Sequence, residues 1–198
     1  ALADAVRPAA KDAIRELKEL GVVRVVMLTG DNEATARAVA QDAGVDDVRA
    51  GLLPEEKVAA VEALVAEYGS VAMVGDGVND APALARASLG IAMGAAGTDA
   101  AIETADVALM SDDLGKLPWL IRHSRRTMSV IRQNVAFSLT VKAVFMILTF
   151  AGYSSLWAAI AADTGASLIV IFNGLRLLGR TRELSDEKPR LSKVVSRD

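Results

Sequence analysis

VAMVGDGVND, residues 71–80, is the stretch of sequence that decides the fold of this chain. Its first four residues are apolar and predict a short strand, and the glycines and carboxylates behind them predict a loop at the strand's carboxyl end. Strand and helix signals alternate around this stretch from residue 1 to about residue 115. That alternation predicts an α/β domain with a mainly parallel sheet.

The other elements of the domain follow from hydrophobic periodicity and from the positions of Gly and Pro. Apolar residues at helical spacing predict helices over residues 8–20 and 33–43, and Pro54 opens a third helix. Strands are predicted over residues 22–28, 71–74, 89–93 and 107–110.

Polar clusters follow two of these strands, Thr29-Gly30-Asp31-Asn32 after the first and residues 75–80 after the second. The carboxyl ends of parallel strands meet at one edge of a sheet, where ligands bind. Asp76 and Asp80 offer the oxygen ligands that Mg²⁺ prefers, and Lys57 in a first helical turn offers a positive charge to a phosphoryl group. Taken singly, such residues are usually turn formers or solvated charges, so the prediction of a magnesium and phosphate site depends on their combination.

The composition predicts attachment to a membrane. Of 198 residues 52% are hydrophobic, and they concentrate in two runs, residues 133–152 and 156–175, each near the ~20 residues that a membrane helix needs. Basic residues flank the runs: Arg122, His123, Arg125, Arg126 and Arg132 before them, Arg176, Arg180 and Arg182 after them. The positive-inside rule then places residues 1–132 and the tail in the cytoplasm. Two buried helices of a soluble protein are the alternative, and the absence of Cys excludes a thiolate metal site within this chain.

Each apolar run contains one charged residue, Lys142 in the first and Asp163 in the second. An ionisable residue inside a bilayer costs at least ~2.5 kcal/mol, so both are candidate functional residues. They lie about 15 Å and about 10 Å of helix from the turn, which predicts that they can pair across the hairpin. Asp163 would then be a transient oxygen ligand of a divalent cation, and Lys142 its counter-charge. The alternative is a structural pair that only fastens the two helices.

Three strings in a fixed order, TGDN at 29–32, PEEK at 54–57 and GDGVNDAPAL at 75–84, closely resemble the P-type ATPases. The resemblance implies a haloacid-dehalogenase-like phosphorylation domain with a Rossmann-like parallel sheet, in which ATP phosphorylates an Asp and the aspartyl phosphate is then hydrolysed. Asp76 would be the ligand of Mg²⁺ and Asp80 its supporting carboxylate. The transferred phosphoryl group and the nucleotide phosphates would be held by Thr29, Gly30, Asp31, Lys57 and Asn79.

The chain departs from the family pattern because the Asp-Lys-Thr-Gly-Thr segment with the acceptor Asp is absent from it. The resemblance therefore implies the C-terminal portion of a pump, inactive alone. Its partners would be the lipid bilayer and the remainder of the pump, namely the actuator and nucleotide-binding domains and other membrane helices, with no nucleic acid. A membrane-tethered magnesium-dependent phosphatase of the same fold and a non-catalytic regulatory fragment are the alternatives.

The membrane segment carries a further resemblance, because ADTGAS at 162–167 and NGLRLL at 173–178 resemble the last helix of heavy-metal pumps that export zinc, cadmium or lead. Lys142 matches the Lys those pumps have one helix earlier. An integral protein of the plasma membrane is implied. The expected organisation is a phosphorylation-domain part at residues 1–115, a basic linker helix at 116–132, two membrane helices at 133–178 and a cytoplasmic tail at 179–198.

Overall fold

The computed structural model describes residues 8–76, 79–94, 103–153 and 155–178. The chain divides into two compact units, Ala1–Arg122 and His123–Asp198. The predicted tail at 179–198 lies outside the described residues, and the predicted domain boundaries stay a prediction.

The first unit alternates strands and helices along the chain. Its elements are α1 (Pro8–Glu19), β1 (Val26–Leu28), α2 (Glu33–Ala43), β2 (Asp47–Arg49), α3 (Pro54–Tyr68), β3 (Ala72–Gly75), α4 (Ala81–Leu84), β4 (Leu89–Met93) and β5 (Val107–Leu109). The α/β class is therefore confirmed, and every helix that the periodicity predicts in this unit is present.

All strand pairs among the described residues are parallel, as predicted, but they form two sheets rather than one. β1 pairs with β2, with Met27 opposite Val48. The other sheet has the order β3-β4-β5, with Val74 opposite Ile91 and Ile91 opposite Val107. β2 was not predicted, because it has a single apolar residue between two charged ones and so lacks a strand pattern.

One hydrophobic core joins the two sheets. Its buried members are Val61, Met73, Ala83, Leu84 and Ala92, and Leu28 of β1 packs against them. A Cβ at Gly90 would lie 2.8 Å from the Leu84 carbonyl oxygen, so glycine lets α4 approach β4 closely. β1 and β3 therefore contribute to the same core.

The second unit is a helical hairpin. α5 (Lys116–Phe150) begins in the first unit and continues into the second, and α6 (Leu156–Leu175) follows a short turn. Both helices are long and apolar enough to cross a membrane by length and composition. At ~1.5 Å per residue the 35 residues of α5 extend about 52 Å, well beyond the ~30 Å of a bilayer core. The basic segment at 116–132 and the first apolar run therefore form one continuous helix.

Candidate functional site

The loop after β1 is bonded to the residues that follow β2. The Thr29 amide donates to the Arg49 carbonyl at 3.0 Å, and the Leu52 amide donates to the Thr29 carbonyl at 3.0 Å. The Gly51 amide donates to the Asp31 carbonyl at 2.8 Å. These three bonds fix the backbone that carries the predicted phosphate-binding residues at the carboxyl edge of the small sheet.

The Thr29 side chain closes a turn with Asp31. Its Oγ1 accepts from the Asp31 amide at 3.1 Å and donates to Asp31 Oδ2 at 3.0 Å. Asn32 has a structural role, because its side chain accepts from the Thr35 amide at 3.0 Å and caps α2. Gly30, Asp31 and Asn32 are exposed, so this turn presents polar groups to solvent at the edge of the sheet.

Lys57 and Asp80 form an ion pair between the first turn of α3 and the first residue before α4. Lys57 Nζ lies 2.7 Å from Asp80 Oδ1, and each side chain is only 18% exposed. Glu56 steadies the start of α3, since its carboxylate accepts from the Leu53 amide at 2.8 Å. The structure thus brings together two of the residues that the sequence predicts to share one site.

Gly75 leaves room for Asp80 where β3 ends. A Cβ at this position would lie 3.0 Å from both Cβ and Oδ2 of Asp80, which is tighter than most real Cβ contacts. Asp76 follows directly at the end of β3 and is exposed, as is Asn79, while residues 77 and 78 lie outside the described residues. Glycine at 75 therefore lets the Asp80 carboxylate lie against the end of β3.

The donor set at this edge fits Mg²⁺. Mg²⁺ is usually held by one or two carboxylates and completes its octahedron with water and phosphate oxygens, and Asp76 and Asp80 supply two carboxylates. Within the described ranges no group of three or more His, Cys, Asp or Glu side chains could hold a metal ion by itself. One oxygen of Asp80 already bonds Lys57, which is compatible with a supporting role, and the assignment of both residues stays a prediction.

The clearest pKa shifts lie at the opposite, amino ends of β1 and β2. Hydrogen bonds from Lys18 Nζ at 2.6 Å and from the Val25 amide at 2.8 Å hold the pKa of Asp46 below its usual value. The Tyr68 hydroxyl, 3.0 Å from Arg24, raises the pKa of that guanidinium. These contacts stabilise the end of the unit away from the candidate site.

Within the second unit, Lys142 and Asp163 face one cavity of about 230 Å³ between α5 and α6. Its lining comprises Val141, Lys142, Phe145, Met146, Thr149, Ala159, Ala162 and Asp163. The two charged residues thus line the same cavity, but in the part of the chain that the structure describes no ion pair joins them. The helical rise per residue predicts how far each residue lies along the hairpin from the turn, but it does not predict the distance between the two side chains across the hairpin. The expected contact therefore could not be tested by the rise alone.

Comparisons with known proteins agree with this geometry. A family model described as "haloacid dehalogenase-like hydrolase" matches residues 1–88. The fold and the polar edge thus define a haloacid-dehalogenase-like α/β domain, followed by a hairpin of two membrane-length helices.

Relatives and solved structures extend the likeness to most of the chain. It is 53% identical over 178 residues to the "Probable cadmium-transporting ATPase" of Listeria monocytogenes, covering 90% of this chain and 25% of that protein. The "Zinc-transporting ATPase" of Synechocystis sp. is 48% identical, with 89% and 25% covered. A crystal structure of a zinc-transporting PIB-type ATPase in the E2·Pi state matches with a TM-score of 0.81 at 49% identity, over 88% of this chain and 28% of that one.

The chain is therefore a homologue of the heavy-metal-transporting P-type ATPases, as the sequence motifs predict. It spans about a quarter of the length of the curated relatives it matches.

Proposed function

We propose that this chain is the C-terminal segment of an ATP-driven exporter of zinc, cadmium or lead that works through an aspartyl-phosphate intermediate. The proposal rests on one observation above all: a Lys–Asp pair at the carboxyl edge of an α/β domain shares a chain with a second Lys and Asp across a membrane-length hairpin. The names of the relatives support cadmium and zinc as cargo.

The soluble edge would hold and stabilise a phosphoryl group. Lys57 is held in place by Asp80, so its ammonium group is positioned before any phosphate arrives. The Thr29 hydroxyl can exchange its bond to Asp31 for one to a phosphate oxygen. Asp76 and Asp80 would hold Mg²⁺, which would supply positive charge to offset that of the phosphoryl group. Asn79 and Gly30 would complete the phosphate contacts, and ATP would be the phosphoryl donor.

The acceptor Asp would enter this edge on a strand from another part of the pump. Among the described residues β1 pairs only with β2, and β3 pairs at one edge only with β4, although both contribute to one core. A strand between β1 and β3 would satisfy both open edges and bring its carboxyl end to Thr29 and Asp76. Without that strand the chain alone is expected not to hydrolyse ATP.

The hairpin would bind the transported cation. A cavity of about 230 Å³ has room for several waters at ~30 Å³ each, so it can admit a partly hydrated cation beside the Asp163 carboxylate. After the cation leaves, Lys142 would neutralise Asp163 and oppose its return. We place residues 1–132 and the tail in the cytoplasm and the hairpin in the plasma membrane, with the actuator and nucleotide-binding domains and other membrane helices as partners.

The test is metal-dependent ATP hydrolysis by the purified full-length protein, with labelled ATP to detect the phosphoenzyme. Zinc, cadmium and lead should each stimulate hydrolysis and phosphoenzyme formation, and the 198-residue chain by itself should do neither. Hydrolysis of simple phosphate esters without metal stimulation or phosphoenzyme would instead support a tethered phosphatase.

A further inference from the structure

A network of four polar side chains joins α5 and α6 on the side of the cavity away from the turn. Asn173 Nδ2 lies 2.8 Å from Asn134 Oδ1 and 3.5 Å from Gln133 Oε1. Asn134 Nδ2 donates to the Val170 carbonyl at 3.5 Å, and Arg176 Nη1 donates to Asn173 Oδ1 at 3.0 Å. Both asparagines are partly buried, and the two helices are otherwise predominantly apolar.

The network has one consistent direction. Arg176 can only donate, so Asn173 must turn its oxygen toward the guanidinium and its amide nitrogen toward Asn134. Asn134 then accepts through its oxygen and has its own amide nitrogen left for the Val170 carbonyl. Each asparagine therefore uses both ends of its amide group, and a shift of one helix along the other would break several bonds at once.

The same contacts fix the level of the two charged residues. Lys142 lies eight residues beyond Asn134, about 12 Å of helix, and Asp163 lies ten residues before Asn173, about 15 Å. Measured from Val170 instead, Asp163 is seven residues away, about 10 Å. The distance of Lys142 from Asn134, about 12 Å, falls between the two distances for Asp163, about 10 Å and about 15 Å. The register that the asparagines set is therefore the one that places both charged residues at one cavity.

We infer that Asn134 and Asn173 are positioning residues, which set the register of the hairpin so that Lys142 and Asp163 face the same cavity. The inference rests on the proposed function. Apolar helices in lipid gain little from one register over the next, because lipid tails are as apolar as their side chains. A single polar pair in such an interface can select one register, as a buried Asn does in coiled coils.

The experiment measures register directly in the full-length protein, by disulfide formation between cysteines introduced into α5 and α6. The chain has no native cysteine, and any elsewhere in the protein would be replaced by Ser. Met146→Cys is combined in turn with Ser155→Cys, Ala159→Cys or Ala162→Cys, which lie about one helical turn apart. Met146 lies 12 residues beyond Asn134, about 18 Å of helix, and Ala159 lies 11 residues before Val170 and 14 before Asn173, about 16 Å and 21 Å, so this pair should dominate in the native register.

The three cysteine pairs are compared in the otherwise native protein and in three variants of it. Asn173→Leu removes one partner, and the double change Asn134→Leu with Asn173→Leu removes both, which avoids an unsatisfied buried amide if the single variant folds poorly. Thr140→Val is the matched control, because the Thr140 hydroxyl bonds the Ala136 carbonyl of its own helix at 2.8 Å and joins nothing across the hairpin. Zinc-stimulated ATP hydrolysis is measured alongside, without the cysteines.

In both leucine backgrounds we expect the disulfide of Met146→Cys with Ala159→Cys to lose its dominance, and disulfides with Ser155→Cys or Ala162→Cys to form as well. We also expect the KM for zinc to rise about tenfold or more. Phosphorylation from inorganic phosphate should persist, since the soluble site is untouched, and Thr140→Val should behave as the native protein. Continued dominance of the 159 pair in the double leucine variant overturns the inference. A pump that zinc never stimulates, yet whose cross-links spread as described, would refute the proposed function and leave the positioning role intact.

Discussion

The candidate sites of the two units each contain a Lys and an Asp, and the two pairs are built in different ways. Lys57 and Asp80 touch at 2.7 Å and are mostly shielded from solvent. Lys142 and Asp163 both line a cavity of about 230 Å³ without an ion pair between them, and both are exposed within the hairpin. The first pair is closed and the second is open.

The difference follows from what holds each pair. The closed pair sits where α3 and α4 begin, over a buried core, so the backbone dictates its geometry. The open pair lies on two apolar helices whose described polar cross-contacts lie around Asn134 and Asn173. A closed pair suits a site that must be ready before phosphate binds, and an open pair leaves room for a third charge.

The largest effect should follow from Asp76→Asn, which alters the carboxylate next to the closed pair. Loss of one negative oxygen ligand should weaken Mg²⁺ binding and lower phosphoenzyme formation in the full-length protein by roughly 10³-fold. Phosphoenzyme formation is measured with labelled ATP. Asp12→Asn, at an exposed carboxylate paired with Arg15 at 2.7 Å, is the control and should phosphorylate normally. Normal phosphorylation of the Asp76 variant would remove this residue from the site.

The open pair is tested next, by Asp163→Ala. Zinc-stimulated ATP hydrolysis should fall to the unstimulated level, because the cavity loses its one acidic lining residue. Phosphorylation from inorganic phosphate should remain, since the soluble unit is unchanged. Lys142→Met should act in the opposite direction on binding and lower the zinc concentration for half-maximal stimulation. Undiminished zinc stimulation of the Asp163 variant would reduce this residue to a structural role.

The sequence predicts the closed pair better than the open one. Helix α2 and strand β4 have the predicted bounds, because strong periodicity and capping residues mark them. The sequence predicts that polar loops follow β1 and β3, and the Lys57–Asp80 ion pair itself follows from tertiary packing of α3 and α4. β2 escapes prediction because Val48 is its one apolar residue.

Local sequence patterns predict less of the structure in the hairpin than in the first unit. Basic residues beside an apolar run indicate the flank of a candidate membrane segment but do not end a helix, so the continuity of α5 could not be predicted from them. Helical rise gives the level of Lys142 and Asp163 and says nothing about the width of the gap. Asn134 and Asn173 lie 39 residues apart in sequence, and their contact has no local signature.

A smaller effect should come from Gly75→Ala, which disturbs the closed pair without removing a charge. The added methyl would lie 3.0 Å from the Asp80 side chain and push its carboxylate away from Lys57. A displacement of a few tenths of an ångström should lower the rate of phosphoenzyme formation about tenfold. The thermal midpoint in detergent, recorded beside the rate, separates this from unfolding. An unchanged rate of phosphoenzyme formation in a folded variant would mean that direct contact between Lys57 and Asp80 is not required for phosphorylation.

The smallest effect concerns a third Lys–Asp pair, Lys18 and Asp46, which is closed like the first but more exposed, with the Asp46 side chain 35% accessible. Hydrogen bonds from Lys18 and the Val25 amide lower the pKa of Asp46 in the folded state. A lowered carboxyl pKa stabilises the fold above the unfolded value of ~3.9 and loses that stabilisation as pH falls through the folded value. Solvent screens the pair, so Asp46→Asn should cost less than about 1 kcal/mol at pH 7.

Thermal unfolding of the chain in detergent, scanned from neutral pH to below about pH 4, measures the contribution of Asp46. The acid-induced fall of the midpoint should be shallower for Asp46→Asn than for the native chain, because the variant has no carboxylate at this position to protonate. Asp42→Asn removes the exposed partner of Lys11 and should leave the midpoint at neutral pH unchanged. If the thermal midpoint falls equally with pH in Asp46→Asn and in the native chain, contact between a Lys and an Asp is not enough to stabilise this fold. Shielding from solvent, as around Lys57 and Asp80, would then be what makes such a pair stabilising.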